Sequence, residues 1–147
     1  MSVSVQLEDF DVGAETSALS AGREDVGAVA NFVGLVRGGE GFIAMTLEHY
    51  PAMTAKALED IVAQACARWD LLDVRVIHRI GRLLPGERIV FVGVASGHRG
   101  AAFEACEFIM DYLKTRAPFW KKEETREGAH WVDARDSDEA ALERWER

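Results

Sequence analysis

The lysines of this 147-residue chain are few, and most of them lie close together. There are four, Lys56, Lys114, Lys121 and Lys122, and the last three fall within nine residues. The stretch 112–122 contains no acidic residue, although the chain as a whole has a net charge of −8. A cluster of cations in an acidic protein indicates a site for an anionic ligand or an anionic chain end. The same cations would also suit the C-terminal end of a helix, because they interact favourably with its dipole.

A second candidate site is the turn Ser96-Gly97-His98-Arg99-Gly100, between a predicted strand and a predicted helix. Free backbone N–H groups at a helix N-terminus bind anions, and glycine lets a ligand approach the backbone closely. Arg99 adds a guanidinium fork for phosphate or carboxylate, and His98 adds a further donor. The turn matches neither the GxxxxGK[ST] nor the GxGxxG pattern, so alone it is a weak signal. Arg37, which precedes a glycine loop at 38–41, is of interest if it reaches the same pocket.

The sequence predicts neither a metal site nor a cysteine nucleophile, and we expect no cofactor. The histidines at positions 49, 78, 98 and 130 show no HxH or HExxH spacing. His49 and His78 lie within strand patterns, which favours structural roles with their hydrogen bonds satisfied. Cys66 and Cys106 lie on the apolar stripes of two predicted helices, where buried and unreactive thiols are common. Any sulfur chemistry would therefore need sulfur from outside the chain.

The overall composition is that of an ordinary globular protein, with 48% hydrophobic and 29% charged residues. A net negative charge disfavours nucleic acid and anionic membranes as partners. The N-terminus lacks the apolar segment of a signal peptide, and the apolar run 89–95 is too short to span a bilayer. We therefore expect a cytoplasmic protein with one domain, residues 1–147.

The residues that could do chemistry must be positioned by strands and helices that alternate along the chain. The strand at 88–96 is the most apolar and is predicted to be central, whereas the alternation in 74–80 predicts one exposed face. The order of elements predicts an α+β, or mixed α/β, fold with some antiparallel pairing. The predicted elements are strands 28–33 and 42–50, a helix from Pro51, strands 74–80 and 88–96, a helix at about 101–115, a hairpin over 119–132 and a tail helix capped by Ser137.

Three stretches of the chain resemble one known family. They are LEHYPAMTAKALEDI at 47–61, VIHRIGRLLPGERIVFVGVASGHRGAAFEACEFIMDYLKTRAPFWKKE at 76–123, and WVDAR at 131–135. Together they are similar to the large, catalytic subunit of molybdopterin synthase, the MoaE family. The resemblance runs from about Gly27 to Arg135, most of the chain. It implies an α/β hammerhead-type fold with an additional small antiparallel β subdomain.

This resemblance implies a sulfurtransferase of molybdenum cofactor biosynthesis. Enzymes of the family convert cyclic pyranopterin monophosphate to molybdopterin by installing a dithiolene. The sulfur arrives as a thiocarboxylate at the C-terminus of a small ubiquitin-like subunit, and two such carriers are used per product. The catalytic subunit forms a homodimer within a heterotetramer, in which each half binds one small subunit.

The resemblance also implies roles for individual residues. Lys114 of DYLKTRAPFW and Lys121 of FWKKE resemble the catalytic lysines of the family. The chain departs from the family at Leu35, where many relatives have lysine. The positions that resemble its substrate-binding residues are Arg37, His98, Arg99, Lys122, Glu123 and Arg135, the last of which reaches the site from the other subunit.

The chemistry of the substrates agrees with these assignments. A cyclic phosphate suits His98, Arg99 and a helix N-terminus, and a thiocarboxylate tail suits a groove rich in lysine. Lys114 is a candidate acid or base if neighbouring cations and burial lower its pKa. Lys121 is a candidate for stabilising the negative charge of a tetrahedral intermediate.

Two other functions are consistent with parts of the sequence. A non-catalytic module could bind an acidic C-terminal peptide tail through Lys114, Lys121 and Lys122, but it would not need His98 and Arg99. A nucleotide-phosphate binder could use the turn at 96–100. The lack of nucleotide-binding motifs and the net charge of −8 disfavour this last function.

Overall fold

The computed structural model describes residues 1–132 and 136–146, which contain two four-stranded sheets and four helices. Helices and sheets are both present, as the predicted fold class requires. The elements in chain order are β1 (Ser2–Gln6), α1 (Val12–Ala18), β2 (Ala28–Leu35), β3 (Phe42–His49), α2 (Pro51–Arg68), β4 (Leu71–Arg79), β5 (Gly81–Leu83), β6 (Arg88–Ser96), α3 (Arg99–Arg116), β7 (Phe119–Thr125), β8 (Gly128–Val132) and α4 (Asp136–Glu143).

The first sheet has the strand order β1-β4-β6-β2. Strand β6 runs antiparallel to both of its neighbours, and β1 runs parallel to β4. The prediction of an interior strand at 88–96 is confirmed. Its residues alternate between two buried faces: Val92 packs beneath α2 and α3, whereas Phe91 packs with Phe10 and Leu19 around α1. This strand is apolar from Ile89 to Ala95 because both of its faces are covered over most of its length.

Strand β4 also has two covered faces, so the prediction of an exposed face for 74–80 is wrong. Val76 points into the cluster beneath α2 and α3, and Ile77 points into the cluster around α1. Residues 76–79 are all buried. The cover on the second face comes from the segment around α1, which the hydrophobic pattern of β4 itself does not encode.

The two long helices begin and end where the sequence favours it. Pro51 opens α2, where its missing N–H costs no hydrogen bond. Helix α3 ends at Arg116 because Pro118 disfavours helical geometry at Ala117, whose ψ is 137°. The aromatic centre of the packing is Phe108 of α3, which is fully buried. Its ring contacts are Trp69, Tyr112 and Trp145.

The second sheet has the strand order β5-β3-β7-β8, and all of its pairs are antiparallel. One face of this sheet closes over a small cluster of Val36, Met45, Leu47 and Leu83. It is the additional antiparallel β unit that the family resemblance implies, and it contains the predicted hairpin over 119–132.

The two sheets meet at a corner after β4, where only Ile80 separates that strand from β5. Arg79, at the end of β4, is 8% exposed. Its guanidinium donates to the Leu7 carbonyl at 3.0 and 3.1 Å, to the Arg88 carbonyl at 3.0 Å and to Glu87 Oε1 at 3.2 Å. A buried cation is tolerated only when its hydrogen bonds are made, so these bonds fix the corner.

Three elements are absent from the sequence-based prediction, and one helix end is corrected. Strand β1, helix α1 and the three-residue strand β5 were not predicted. Each is short, and β1 and β5 become strands only by pairing with distant segments. The tail helix is confirmed, but α4 begins at Asp136, so Ser137 lies within its first turn and not before it.

Replacing Gly27 by alanine should destabilise the protein. The Gly27 N–H donates to the Ser96 carbonyl at 3.0 Å, and a Cβ on Gly27 would overlap the Gly97 carbonyl oxygen. Because two backbone segments would have to separate, we expect Gly27→Ala to lower the free energy of unfolding by about 1–3 kcal/mol in urea titrations.

Gly100→Ala is the matched control. A Cβ at Gly100 meets no atom within 4 Å, and the residue lies in the first turn of α3. This variant should be as stable as the wild type or up to about 1 kcal/mol more stable. Equal stability of the two variants would contradict the account of the contact between Gly27 and Gly97.

Candidate active site

A cavity of about 320 Å³ lies between edge strand β2, the beginning of β6 and the last turns of α3. Its walls are mainly apolar, and two polar side chains, His78 and Lys114, are among its lining residues. The complete lining consists of Phe32, Val33, Gly34, Leu35, His78, Ile89, Val90, Met110, Leu113 and Lys114.

Lys114 is placed at this cavity by α3. It follows Met110 by one helical turn, and both side chains line the cavity. The neighbouring Leu113 is buried, whereas Lys114 is exposed at the cavity. Its charge lowers the pKa of His78. An amine on an apolar wall, close to a buried imidazole, suits proton transfer or stabilisation of an anion.

The second sheet separates the two adjacent lysines of β7. Lys121 is directly opposite Leu47 of β3, so both side chains are on the face that closes over the small apolar cluster. Glu123 is two residues further and lies on that same face. Lys122 points to the opposite face, where its Nζ lies 5.4 Å from the centre of the Trp131 ring. The structure thus places Lys121 and Glu123 together and directs Lys122 away from them.

His98 and Arg99 are far from Lys114 within one chain. His98 is the N-cap of α3 and Arg99 its first residue, and both are exposed. Lys114 follows Arg99 by fifteen residues, which is about 22 Å along a helix axis. The two predicted parts of the site therefore lie at opposite ends of one helix.

Along the chain, Arg37 is closer to a residue that lines the cavity than His98 or Arg99 is. It is exposed, and it follows Leu35, a lining residue, by two positions. The Val36 N–H donates to the Glu87 carbonyl at 2.9 Å, and the Gly86 N–H donates to the Val36 carbonyl at 2.8 Å. These bonds fix the backbone just before Arg37.

Arg135 lies outside the described residues.

His78 is a buried histidine with a defined hydrogen bond and ring contact. Its Nδ1 lies 2.8 Å from the Arg79 carbonyl, and its ring stacks on Phe119 with 3.9 Å between centroids and 17° between planes. The pKa of His78 is lowered to about 4, chiefly by burial and to a smaller extent by the nearby Lys114 and His49, against the opposing effect of the backbone bond. His78 is thus neutral near pH 7.

Three other side chains bear on the sequence-based hypotheses. Arg116, between the clustered lysines, is paired with Glu139 and Glu146 of the tail, so its charge is balanced. Cys106 is buried, and burial raises the pKa of its thiol to about 12. The prediction that His49 is a satisfied structural residue is wrong in part, because its Nδ1 is buried without a hydrogen-bond partner among the described residues.

Sequence reasoning missed most of the cavity. Phe32, Met110 and His78 belong to three different elements, and nothing local to any of them indicates a common pocket. The spacing of Met110 and Lys114 at i, i+4 was the available signal, since it puts both on one helical face. In the parts of the chain that the structure describes, no three His, Cys, Asp or Glu side chains are grouped so that they could hold a metal ion. Nor is any described helix long and apolar enough to cross a bilayer.

The fold agrees with the comparisons to known proteins. The family model described as MoaE protein matches residues 5–116. The molybdopterin synthase catalytic subunit of Ralstonia nicotianae is 63% identical over 97% of this chain and 83% of its own length. That of Pseudomonas aeruginosa is 59% identical over 99% of both chains. The solved MoaE protein of Burkholderia ambifaria is 56% identical over 99% of this chain and 97% of its own, with a TM-score of 0.86.

The chain belongs to the MoaE family. The resemblance stated from the sequence is thereby confirmed, and so is the prediction of an enzyme of molybdenum cofactor biosynthesis. The α+β fold class is confirmed by the match to the solved structure. The roles of individual residues stay predictions.

The burial of His78 predicts a loss of stability in acid. Between pH 6.5 and about 4 the unfolded chain binds a proton at His78 that the folded chain does not bind, so the free energy of unfolding falls as the pH is lowered through this range. The full contribution is roughly 3 kcal/mol. Urea titrations of wild type and His78→Gln across this range should show a smaller decline for the variant.

His130→Gln serves as the control, because His130 is an exposed histidine of β8. This variant should lose stability in acid as the wild type does. An unchanged acid dependence in His78→Gln would contradict the assignment of a neutral, buried His78.

Proposed function

We propose that this chain catalyses the conversion of cyclic pyranopterin monophosphate to molybdopterin, using sulfur from a small ubiquitin-like subunit. The observation that carries this proposal is Lys114, an amine on the wall of a largely apolar cavity, in a chain of the MoaE family. The cavity receives the C-terminal tail of the small subunit, and its apolar walls keep water away from the thiocarboxylate until the substrate is bound.

The two lysines have separate roles in sulfur transfer. The thiocarboxylate sulfur bonds to a substrate carbon and displaces an oxygen substituent, and Lys114, acting as an acid, gives a proton to that leaving oxygen. Water then attacks the carbon of the resulting thioester and forms a tetrahedral intermediate, whose negatively charged oxygen Lys121 stabilises. Collapse of this intermediate breaks the carbon–sulfur bond, so the sulfur stays on the substrate and the carrier ends in a carboxylate. Glu123, on the same face as Lys121, contributes to substrate binding beside that lysine.

The substrate phosphate is bound by residues of a second copy of the chain. Arg99 and Lys114 of one chain are about 22 Å apart along α3, too far to touch one small molecule together. A homodimer solves this problem if His98 and Arg99 of one protomer approach Lys114 of the other, with Arg37 beside the cavity. We assign a role in substrate binding to Arg135 of the other subunit as well, and Lys122 binds substrate at the margin of the site.

The resulting assembly is a homodimer of catalytic subunits with one small subunit at each end, and it works in the cytoplasm. Residues 1–147 act as one catalytic domain, in which the first sheet supports α3 and the second sheet supports Lys121. The charge of −8 keeps the surface unsuited to nucleic acid, in line with small-molecule and protein partners.

Lys114→Ala should abolish most of the activity without unfolding the protein. The wild type, mixed with thiocarboxylated small subunit and cyclic pyranopterin monophosphate, should form molybdopterin. Loss of a positioned proton-transfer group costs about 100-fold or more, so the variant should be at least that much slower. Because Lys114 is exposed at the cavity wall, the melting temperature and the affinity for the small subunit should change little.

Lys56→Ala is the matched control for charge. Lys56 is an exposed lysine of α2 that pairs only weakly with Asp60, at 3.6 Å. This variant should keep wild-type turnover. Near-normal turnover of Lys114→Ala would defeat the assigned role, and absence of product from folded wild type with an active carrier would favour the non-catalytic tail-binding module.

Complementation between variants tests the shared site. Lys114→Ala and Arg99→Ala should each be impaired as homodimers. In a statistical mixture of the two chains, half of the dimers are mixed, and each mixed dimer has one site with both side chains intact. Co-expression should therefore restore about a quarter of wild-type activity.

A site formed within one chain predicts the opposite result. Every site in the mixed dimer would then lack either Lys114 or Arg99, and activity would not recover. A co-expressed pair of two Lys114→Ala chains with different tags controls for the effect of tagging and mixing.

A further inference from the structure

His78 lies where the two sheets, the cavity and Lys114 meet. It belongs to β4 of the first sheet, directly opposite Val90, and shares the face that packs against α3. Its ring stacks on Phe119 of the second sheet. The centroid of the His49 ring lies 6.5 Å from that of the same Phe119 ring. Phe119 is two residues before Lys121. The histidine thus touches the strand that carries one proposed catalytic lysine and lines the cavity with the other.

The hydrogen bond of His78 determines which ring nitrogen carries the proton. The Arg79 carbonyl oxygen can only accept, so Nδ1, at 2.8 Å from it, must be the donor. In a neutral imidazole the other nitrogen, Nε2, then has a lone pair and no proton. His78 therefore offers an acceptor, and not a donor, to groups in the cavity.

The surroundings keep this imidazole uncharged. His78 is only 9% exposed, and the charged or titratable groups that act on it are Lys114 of α3 and His49 of β3. Burial and both of these groups oppose protonation. A neutral acceptor beside an ammonium group is electrostatically favourable, whereas a second cation there would be repelled.

We propose that His78 is a positioning residue for Lys114, whose ammonium group donates a hydrogen bond to His78 Nε2 and is thereby held in the cavity. The inference rests on the proposed function of Lys114. Four features cooperate in it: the Arg79 carbonyl fixes the imidazole plane and tautomer, Phe119 supports one ring face, Nε2 orients Lys114, and the same stack holds β7, which carries Lys121, against β4.

Two substitutions separate the hydrogen bond from the packing. His78→Phe keeps an aromatic ring against Phe119 but removes both nitrogens. His78→Gln loses the ring but places an amide near the former position of Nε2, where its oxygen can accept. In the molybdopterin-forming assay we expect His78→Phe to lower kcat about tenfold, the effect of losing one hydrogen bond to a charged group, with KM for the small subunit unchanged. His78→Gln should recover most of the lost kcat.

Phe10→Leu is the control for loss of ring packing. Phe10 is a buried aromatic on the other face of the first sheet, with its ring 6.1 Å from that of Phe91. The Phe10→Leu substitution should lower the melting temperature and leave kcat unchanged. A wild-type kcat in His78→Phe would overturn the proposal. The proposal would also be overturned if both His78 variants lost kcat equally and this loss followed their fall in melting temperature. That pattern indicates an effect of packing alone.

Nitrogen NMR of the histidine rings gives a readout that does not depend on turnover. The wild type should show His78 as the neutral tautomer with the proton on Nδ1, unchanged from pH 8 to pH 6. A proton on Nε2, or a charged ring at pH 7, would overturn the proposal. Inactive wild type in the same assay would instead refute the proposed function, and this inference with it, whereas active wild type with a fully active His78→Phe would refute the inference alone.

Discussion

The bonded guanidinium of Arg79 is the interaction on which the arrangement of this chain depends. Its bonds to Leu7, Glu87 and Arg88 hold the N-terminal segment, the turn at 84–87 and the start of β6 at one corner. From Glu87 the backbone bonds continue to Val36, beside Arg37. From the Arg79 carbonyl they continue to His78, and through ring stacking to Phe119. One buried cation thus ties together the segments that carry three proposed functional residues, Arg37, His78 and Lys121.

Helix α3 sets the second constraint, because its length separates functions that the sequence places close together. The helix is rigid over 18 residues, since one face is buried along its length against the first sheet and α2. Anion-binding groups at its beginning and an amine at its end cannot serve the same small molecule in one chain. The proposed homodimer uses this separation, because each helix would contribute its two ends to two different sites.

Much of the fold was predictable, because long apolar or amphipathic segments are specified locally. The bounds of β6 match the prediction, and α2 and α3 appear where expected. The failures have one cause: β1, β5 and the second buried face of β4 exist only through contacts with residues far away in the chain. The site residues divide in the same way, into those that the local sequence indicates and those that only distant contacts bring together. Lys114 and Lys121 stand out by charge in an acidic chain, but the pocket around Lys114 is assembled from β2, β4, β6 and α3. No single segment indicates it, and the opposite directions of Lys121 and Lys122 follow only from the strand register.

The two cysteines have a consequence for an enzyme that handles activated sulfur. Cys106 lies in the core, and its Sγ is 3.7 Å from the Val92 carbonyl. Burial raises the pKa of its thiol to about 12, and burial also raises the pKa of Cys66. Thiolates attack acyl carbons and exchange with other sulfur groups, and these two are held as thiols. The carrier's terminus therefore meets no competing thiolate from Cys66 or Cys106, so neither cysteine diverts it into a dead-end thioester and the delivered sulfur stays available for the product.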